Sequence, residues 1–82
     1  MSPTRVTTDM VVKFDVFEGE VSYTSGLLLG AACEAEAAGD TGRARVLHAA
    51  MQEVSRDNRD VDIKQIDAKT ADLRRLRQEM LS

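Results

Sequence analysis

Apolar residues recur at helical spacing along most of this chain, and the pattern is clearest from Leu27 to Ser55, LLLGAACEAEAAGDTGRARVLHAAMQEVS. This stretch predicts two antiparallel helices joined at Gly39-Asp40. Glycine takes the left-handed conformation that closes a helix, and Asp40 or Thr41 can accept from the free N–H groups that open the next one. The first helix is expected from about Ser22 to Ala38, capped by Thr24 or Ser25, with Leu27, Leu28, Ala31, Ala32, Ala35 and Ala38 forming its apolar stripe. Gly26 and Gly30 stand four apart within it. Each costs about 1 kcal/mol relative to alanine, so close approach of another backbone is their expected use. The second helix is expected from about Thr41 to Asn58, on the stripe Ala44, Leu47, Met51 and Val54, extended by Val46 and Ala50. After the polar break from Ser55 to Asp60, with Asp60 as cap, a third helix is expected from Val61 to about Leu81. Ile66, Leu73 and Met80 recur every seven residues, with Ile63, Thr70 and Leu76 on the same side. Asp60 and Asp62 open this helix while Arg74, Arg75 and Arg77 close it, an order that complements the helix dipole.

Met10 to Tyr23 fits two patterns. Val12, Phe14 and Val16 alternate with Lys13 and Asp15 as in a strand, and Glu18-Gly19 could turn a hairpin that returns through Val21 and Tyr23. Met10, Phe14, Phe17 and Val21 also fall at helical spacing, with Asp9 as cap. The β-branched and aromatic residues, together with Gly19, weight the reading toward extended structure over residues 10–17. Residues 1–9, with one proline and little apolar periodicity, are expected to form a disordered arm before a single helical domain over residues 10–82. The fold class expected is mainly α: a small three-helix bundle containing an αα-hairpin, with a short N-terminal extended or helical segment. Its strongest contacts are expected at Leu27, Leu28, Ala31, Leu47, Met51, Val54, Ile63, Ile66, Leu73 and Leu76.

The hairpin resembles one tetratricopeptide repeat unit, through Ala35, the Gly39-Asp40 turn and Ala44. The resemblance covers about a third of the chain and implies the geometry of an αα-hairpin.

A chain of 82 residues is near the lower limit for a comfortable single core. There is no tryptophan; Phe14, Phe17 and Tyr23 are the only aromatics, and much of the apolar content is alanine, which buries little area. Association with a partner or with further copies of the chain is the expected remedy. Cys33 stands alone, so it cannot form an intramolecular disulfide, and its Ala-rich setting predicts a buried small hydrophobe in a reducing compartment. No run approaches the roughly 20 apolar residues of a membrane span, and the first residues lack the apolar core of a signal peptide, so a cytoplasmic protein with no membrane partner is expected.

The chemistry of the side chains narrows the function classes. One histidine and one cysteine, without paired spacing, make no metal site, and no Gly-rich phosphate loop occurs, so neither metal nor cofactor is expected. His48 is expected at the core rim rather than in catalysis, and no enzyme is read from this chain. Charge is uneven: residues 1–40 carry seven acids and two bases, while residues 41–82 carry nine bases and seven acids. That imbalance is too weak for a nucleic-acid binder on charge alone. A DNA-binding regulator, with Arg43 and Arg45 opening a recognition helix, is the second reading. The first is a small protein-binding module, most of all an antitoxin-like inhibitor of a bacterial or phage protein such as a toxin. In it Phe14, Phe17 and Tyr23 would anchor a partner, Glu18 and Glu20 would steer it, and Arg74, Arg75 and Arg77 would offer a second surface.

Overall fold

A computed structural model describes residues 7–82 as three helices without a strand: α1 (Thr8–Ala37), α2 (Thr41–Asp57) and α3 (Ile66–Leu81), the last preceded by a short 3-10 turn, Ile63–Gln65. They pack as a small three-helix bundle in which both α2 and α3 lie against α1. Contacts fix the directions. Lys13 meets Asp67, Glu20 meets Arg74, and Thr24 meets Arg77, so α3 runs parallel to α1. Beyond the turn, His48 reaches back to Glu36, so α2 returns along α1 in the opposite direction.

The turn at Gly39-Asp40 forms as its residues dictate. Gly39 has φ +80°, its N–H donates to Glu36 O at 3.0 Å, and the Asp40 N–H donates to Ala35 O at 2.8 Å, the two bonds of a Schellman motif. The Asp40 carboxylate then accepts from the Arg43 N–H at 3.1 Å and opens α2. A second polar residue ends α2, where Asn58 donates from Nδ2 to Val54 O at 2.8 Å. The third helical run begins later than expected. Val61 and Asp62 are extended or irregular, and the Asp62 N–H, not Asp60, joins the cap by donating to Gln65 Oε1 at 3.4 Å.

The largest departure is in residues 10–17, which are helical, not extended: α1 is one helix of 30 residues. It starts at Thr7, whose Oγ1 accepts from the Met10 N–H at 3.2 Å, so Thr7 to Asp9 are cap and first turn rather than arm. The rest of the expected arm, residues 1–6, lies outside the described residues. The cause of the misleading alternation is that α1 carries two apolar stripes. Phe14, Phe17, Val21, Thr24, Leu28, Ala32 and Ala35 recur every three or four residues and pack inward. Val12 and Val16 belong to the other, outward stripe, so together with Phe14 they mimic a period of two.

The core is made by Phe17, Leu28, Ala32 and Ala35 from α1, Ala44, Leu47, Ala50 and Val54 from α2, and Ile66 and Leu73 from α3. Alanines at the α1–α2 contact let the two backbones come close, as the small-residue hairpin requires. Of the expected core, Leu28, Leu47, Val54, Ile66 and Leu73 are buried, and Ala31, Met51, Ile63 and Leu76 pack at its edge. Leu27 does not join them. It is 38% exposed, because the helix phase that buries Leu28 and Ala32 turns its neighbour outward.

Candidate functional site

Two features of α1 stand out from the bundle, and both centre on residues 20–30. The first is an ionic junction with α3. Glu20 accepts from Arg77 Nη1 and from Arg74 Nε, the latter at 3.3 Å. Arg77 Nη1 also donates to Thr24 Oγ1 at 2.8 Å, and the Thr24 side chain is fully buried. The guanidinium carbon of Arg77 lies 5.0 Å from the centre of the Tyr23 ring, within the range of a cation–π contact. The hydrogen bond from Arg77, assisted by the charges of both arginines, holds the Glu20 carboxyl below its ordinary value; partial burial acts in the opposite direction and is outweighed.

The expected binding residues therefore divide. Glu20, Tyr23, Arg74 and Arg77 come together, though as a junction within the chain. Arg75 pairs along its own helix with Asp72 at 2.7 Å, and Glu18 is exposed. Phe17 is 4% exposed and Phe14 half-buried against the core, so their rings hold α1 to the bundle and do not stand out as anchors for a partner. Arg74 and Arg77 also depart from the role expected for them, since they engage a carboxylate on α1 rather than their own helix end. That leaves Tyr23, 59% exposed, as the aromatic that faces outward.

The second feature is the outward stripe itself. Val12, Val16, Tyr23 and Leu27 are 53%, 48%, 59% and 38% exposed. At 100° per residue they centre about 130° round the helix from the core stripe. Gly19, Gly26 and Gly30 interleave with them. A methyl group built on any of these three glycines would meet nothing within 4 Å. The close approach expected at Gly26 and Gly30 is thus not made inside the chain. Cys33 lies on the same face and is exposed, not buried as expected. Between Glu20 and Glu34, α1 has no charged residue. Periodicity captures the phase of this helix from residue 22 onward but not the outward stripe. The alternating steps of four and three through 12, 16, 19, 23, 26, 30 and 33 were the available signal.

Elsewhere the chemistry is sparse. His48 is half-buried at the rim, with Nε2 2.9 Å from Glu36 Oε1. Among the described residues no cluster of three His, Cys, Asp or Glu side chains could hold a metal ion, and no helix is long and apolar enough to cross a membrane. No family model matches the chain, and comparison with curated proteins and with solved structures found no match either.

Proposed function

We propose that this chain is a small, non-catalytic protein-binding module whose binding surface is the outward face of α1. One observation carries the reading: Val12, Val16, Tyr23 and Leu27, with Gly19 between them, form an exposed row on α1 that faces away from the core. Single exposed apolar residues are ordinary, but an aligned row whose C-terminal half, around Tyr23 and Leu27, lies in an uncharged belt marks a surface that another molecule covers. The glycines add to this. Three helical glycines cost about 1 kcal/mol each unless something approaches their backbone, and nothing in the described chain does.

Within this class, an antitoxin-like inhibitor of a bacterial or phage protein, acting in the cytoplasm, is the finer version; it rests on the small size and the Ala-, Arg- and Asp-rich composition. The DNA-binding alternative has less support. Arg74, Arg75 and Arg77, the densest basic group, are each engaged with a carboxylate of the same chain, so this cluster is partly neutralised before any phosphate approaches.

A photo-crosslinking amino acid placed at Tyr23 tests the surface, with Arg56, an exposed position on α2, as control. A discrete protein adduct from position 23, absent from position 56, is the expected result. Adducts from neither position, or equally from both, would remove the α1 face as a binding surface.

A further inference from the structure

We propose that the occupant of this face is a second copy of the same chain, with the two α1 helices packed antiparallel along Val12 to Ala37. The proposal rests on the reading of the α1 face as a binding surface and adds the partner and its direction. The outward positions 12, 16, 19, 23, 26, 30, 33 and 37 step by four and three, the repeat of a two-helix seam. Large residues occupy one half, Val12 and Val16, and small ones the other, Gly26, Gly30, Cys33 and Ala37. Only an antiparallel arrangement sets large against small in every outer layer: Val12 on Ala37, and Val16 on Cys33. At the middle, Tyr23 of each copy lies over Gly26 of the other. Gly19 meets Gly30 in the adjoining layers, so the two tyrosine rings fill the room left by six glycines. Glycine is the residue that lets an aromatic ring reach a helix backbone, which accounts for three glycines whose Cβ positions face open space in the single chain.

Charge favours this direction over the parallel one. The belt from residue 21 to residue 33 brings no charge to the seam. On one flank Lys13 comes beside Glu34 of the other copy, twice. Lys13 is half-exposed, and among the described residues its ion pair is with Asp67, itself exposed, so it can serve both. On the other flank Asp15 approaches Glu36, whose carboxylate is already drawn toward His48 on α2. A parallel pair would instead set Asp9 on Asp9 inside the seam and Asp15 beside Glu20 on both sides. Space also permits the pairing. α2 and α3 cover the inward side of α1, and α3 borders the seam, with Val12 and Val16 lining a groove against Ile66 and Thr70, and Arg77 lying on one side of Tyr23. The parts of Val12, Val16 and Tyr23 that stay exposed are what the second copy covers. The seam is about 39 Å long and one helix wide, on the order of 1,000 Å² in all. That is the lower limit of a specific interface and suits a reversible dimer.

The test uses the full chain and its native Cys33. Sedimentation velocity from low to high micromolar concentration should show a monomer–dimer equilibrium. Gly30→Lys, at a seam position where an added side chain meets nothing within the chain, should shift it toward monomer at least tenfold while the circular dichroism spectrum keeps its helical shape. Val16→Cys, at a half-exposed position that the fold tolerates, should give a covalent dimer with a short bis-maleimide that joins the introduced thiol to Cys33 of the other copy. The unaltered chain should not, because the two Cys33 residues lie about 25 Å apart. A chain that stays monomeric throughout overturns the second copy; if position 23 still gives an adduct with a different protein, the binding surface stands without it. A dimer that crosslinks through Cys33 alone, or that crosslinks in neither form, overturns the antiparallel seam.

Discussion

Glu20 on α1 and Arg77 on α3 stand 57 positions apart in the chain, yet their side chains form one hydrogen-bonded ion pair, each only 17% exposed. Arg77 also holds the buried Thr24 hydroxyl and covers the Tyr23 ring, so a single guanidinium joins α3 to three features of α1. Such a pair differs from Lys13–Asp67, where both side chains are largely in water and the contribution is about 0–1 kcal/mol.

Removing the guanidinium should therefore weaken the bundle. Arg77→Ala leaves the Thr24 hydroxyl and the Glu20 carboxylate short of a partner, at a cost of about 1–3 kcal/mol. Arg77→Lys should fall between, since it keeps the charge and a donor but loses the flat guanidinium that lies over the Tyr23 ring. Urea unfolding at constant slope measures both. A loss below about 0.5 kcal/mol for Arg77→Ala would show that packing alone holds α3 in place.

The same pair sets a pH dependence. The carboxyl of Glu20 is held below its ordinary value of 4.5 in the folded chain, so the unfolded chain binds the proton more readily. Its contribution is complete above the ordinary carboxylate range and is lost as pH falls through the lower folded value. Glu20→Gln should thus be less stable than the parent chain at neutral pH, and the gap should close as the solution is acidified below about pH 4. Unfolding curves of the two proteins at matched pH follow this directly. A gap that stays constant into strong acid would mean that the carboxylate charge contributes nothing.

Phe17 and Phe14 separate two roles for the N-terminal half of α1. Phe17 is buried with the core and Phe14 only packs against its edge. Phe17→Ala should cost about 3–5 kcal/mol and Phe14→Ala clearly less. Thermal unfolding with helix content as the signal distinguishes them. Equal, small losses would place residues 8–20 outside the cooperative core.

Much of this bundle was legible in the sequence because local signals agreed with each other. Gly39 and Asp40 each suit the turn on their own account, and Ile66, Leu73 and Met80 repeat on one face of one helix. The N-terminal half of α1 was not legible. Val12, Phe14 and Val16 alternate only because one helix is apolar on two sides, and a one-dimensional pattern cannot say which side meets α2 and α3. That ambiguity also hid the outward face, since Leu27 and Leu28 are equally apolar and only the tertiary phase separates them. The Glu20–Arg77 junction was within reach as two charged groups but not as a pair, because no local spacing relates residues 57 positions apart.

The glycines of α1 separate folding from association most sharply. Gly26 and Gly30 have helical backbone, and a methyl group at either meets no atom within 4 Å. At concentrations low enough to keep the chain monomeric, Gly26→Ala and Gly30→Ala should each stabilise the fold by about 0.5–1 kcal/mol, because alanine loses less backbone freedom and adds no clash. Gly39→Ala must do the opposite, since φ +80° is strained for any residue with a Cβ and the turn depends on it. At high concentration the sign for Gly26 should reverse in a second measurement. The added methyl stands where the Tyr23 ring of the other copy would lie, so dimerisation weakens while the monomer becomes more stable. Thermal midpoints at low concentration together with sedimentation at high concentration read the two effects separately. A Gly26→Ala chain that gains stability and associates as before would show that the glycine serves neither the fold nor the seam.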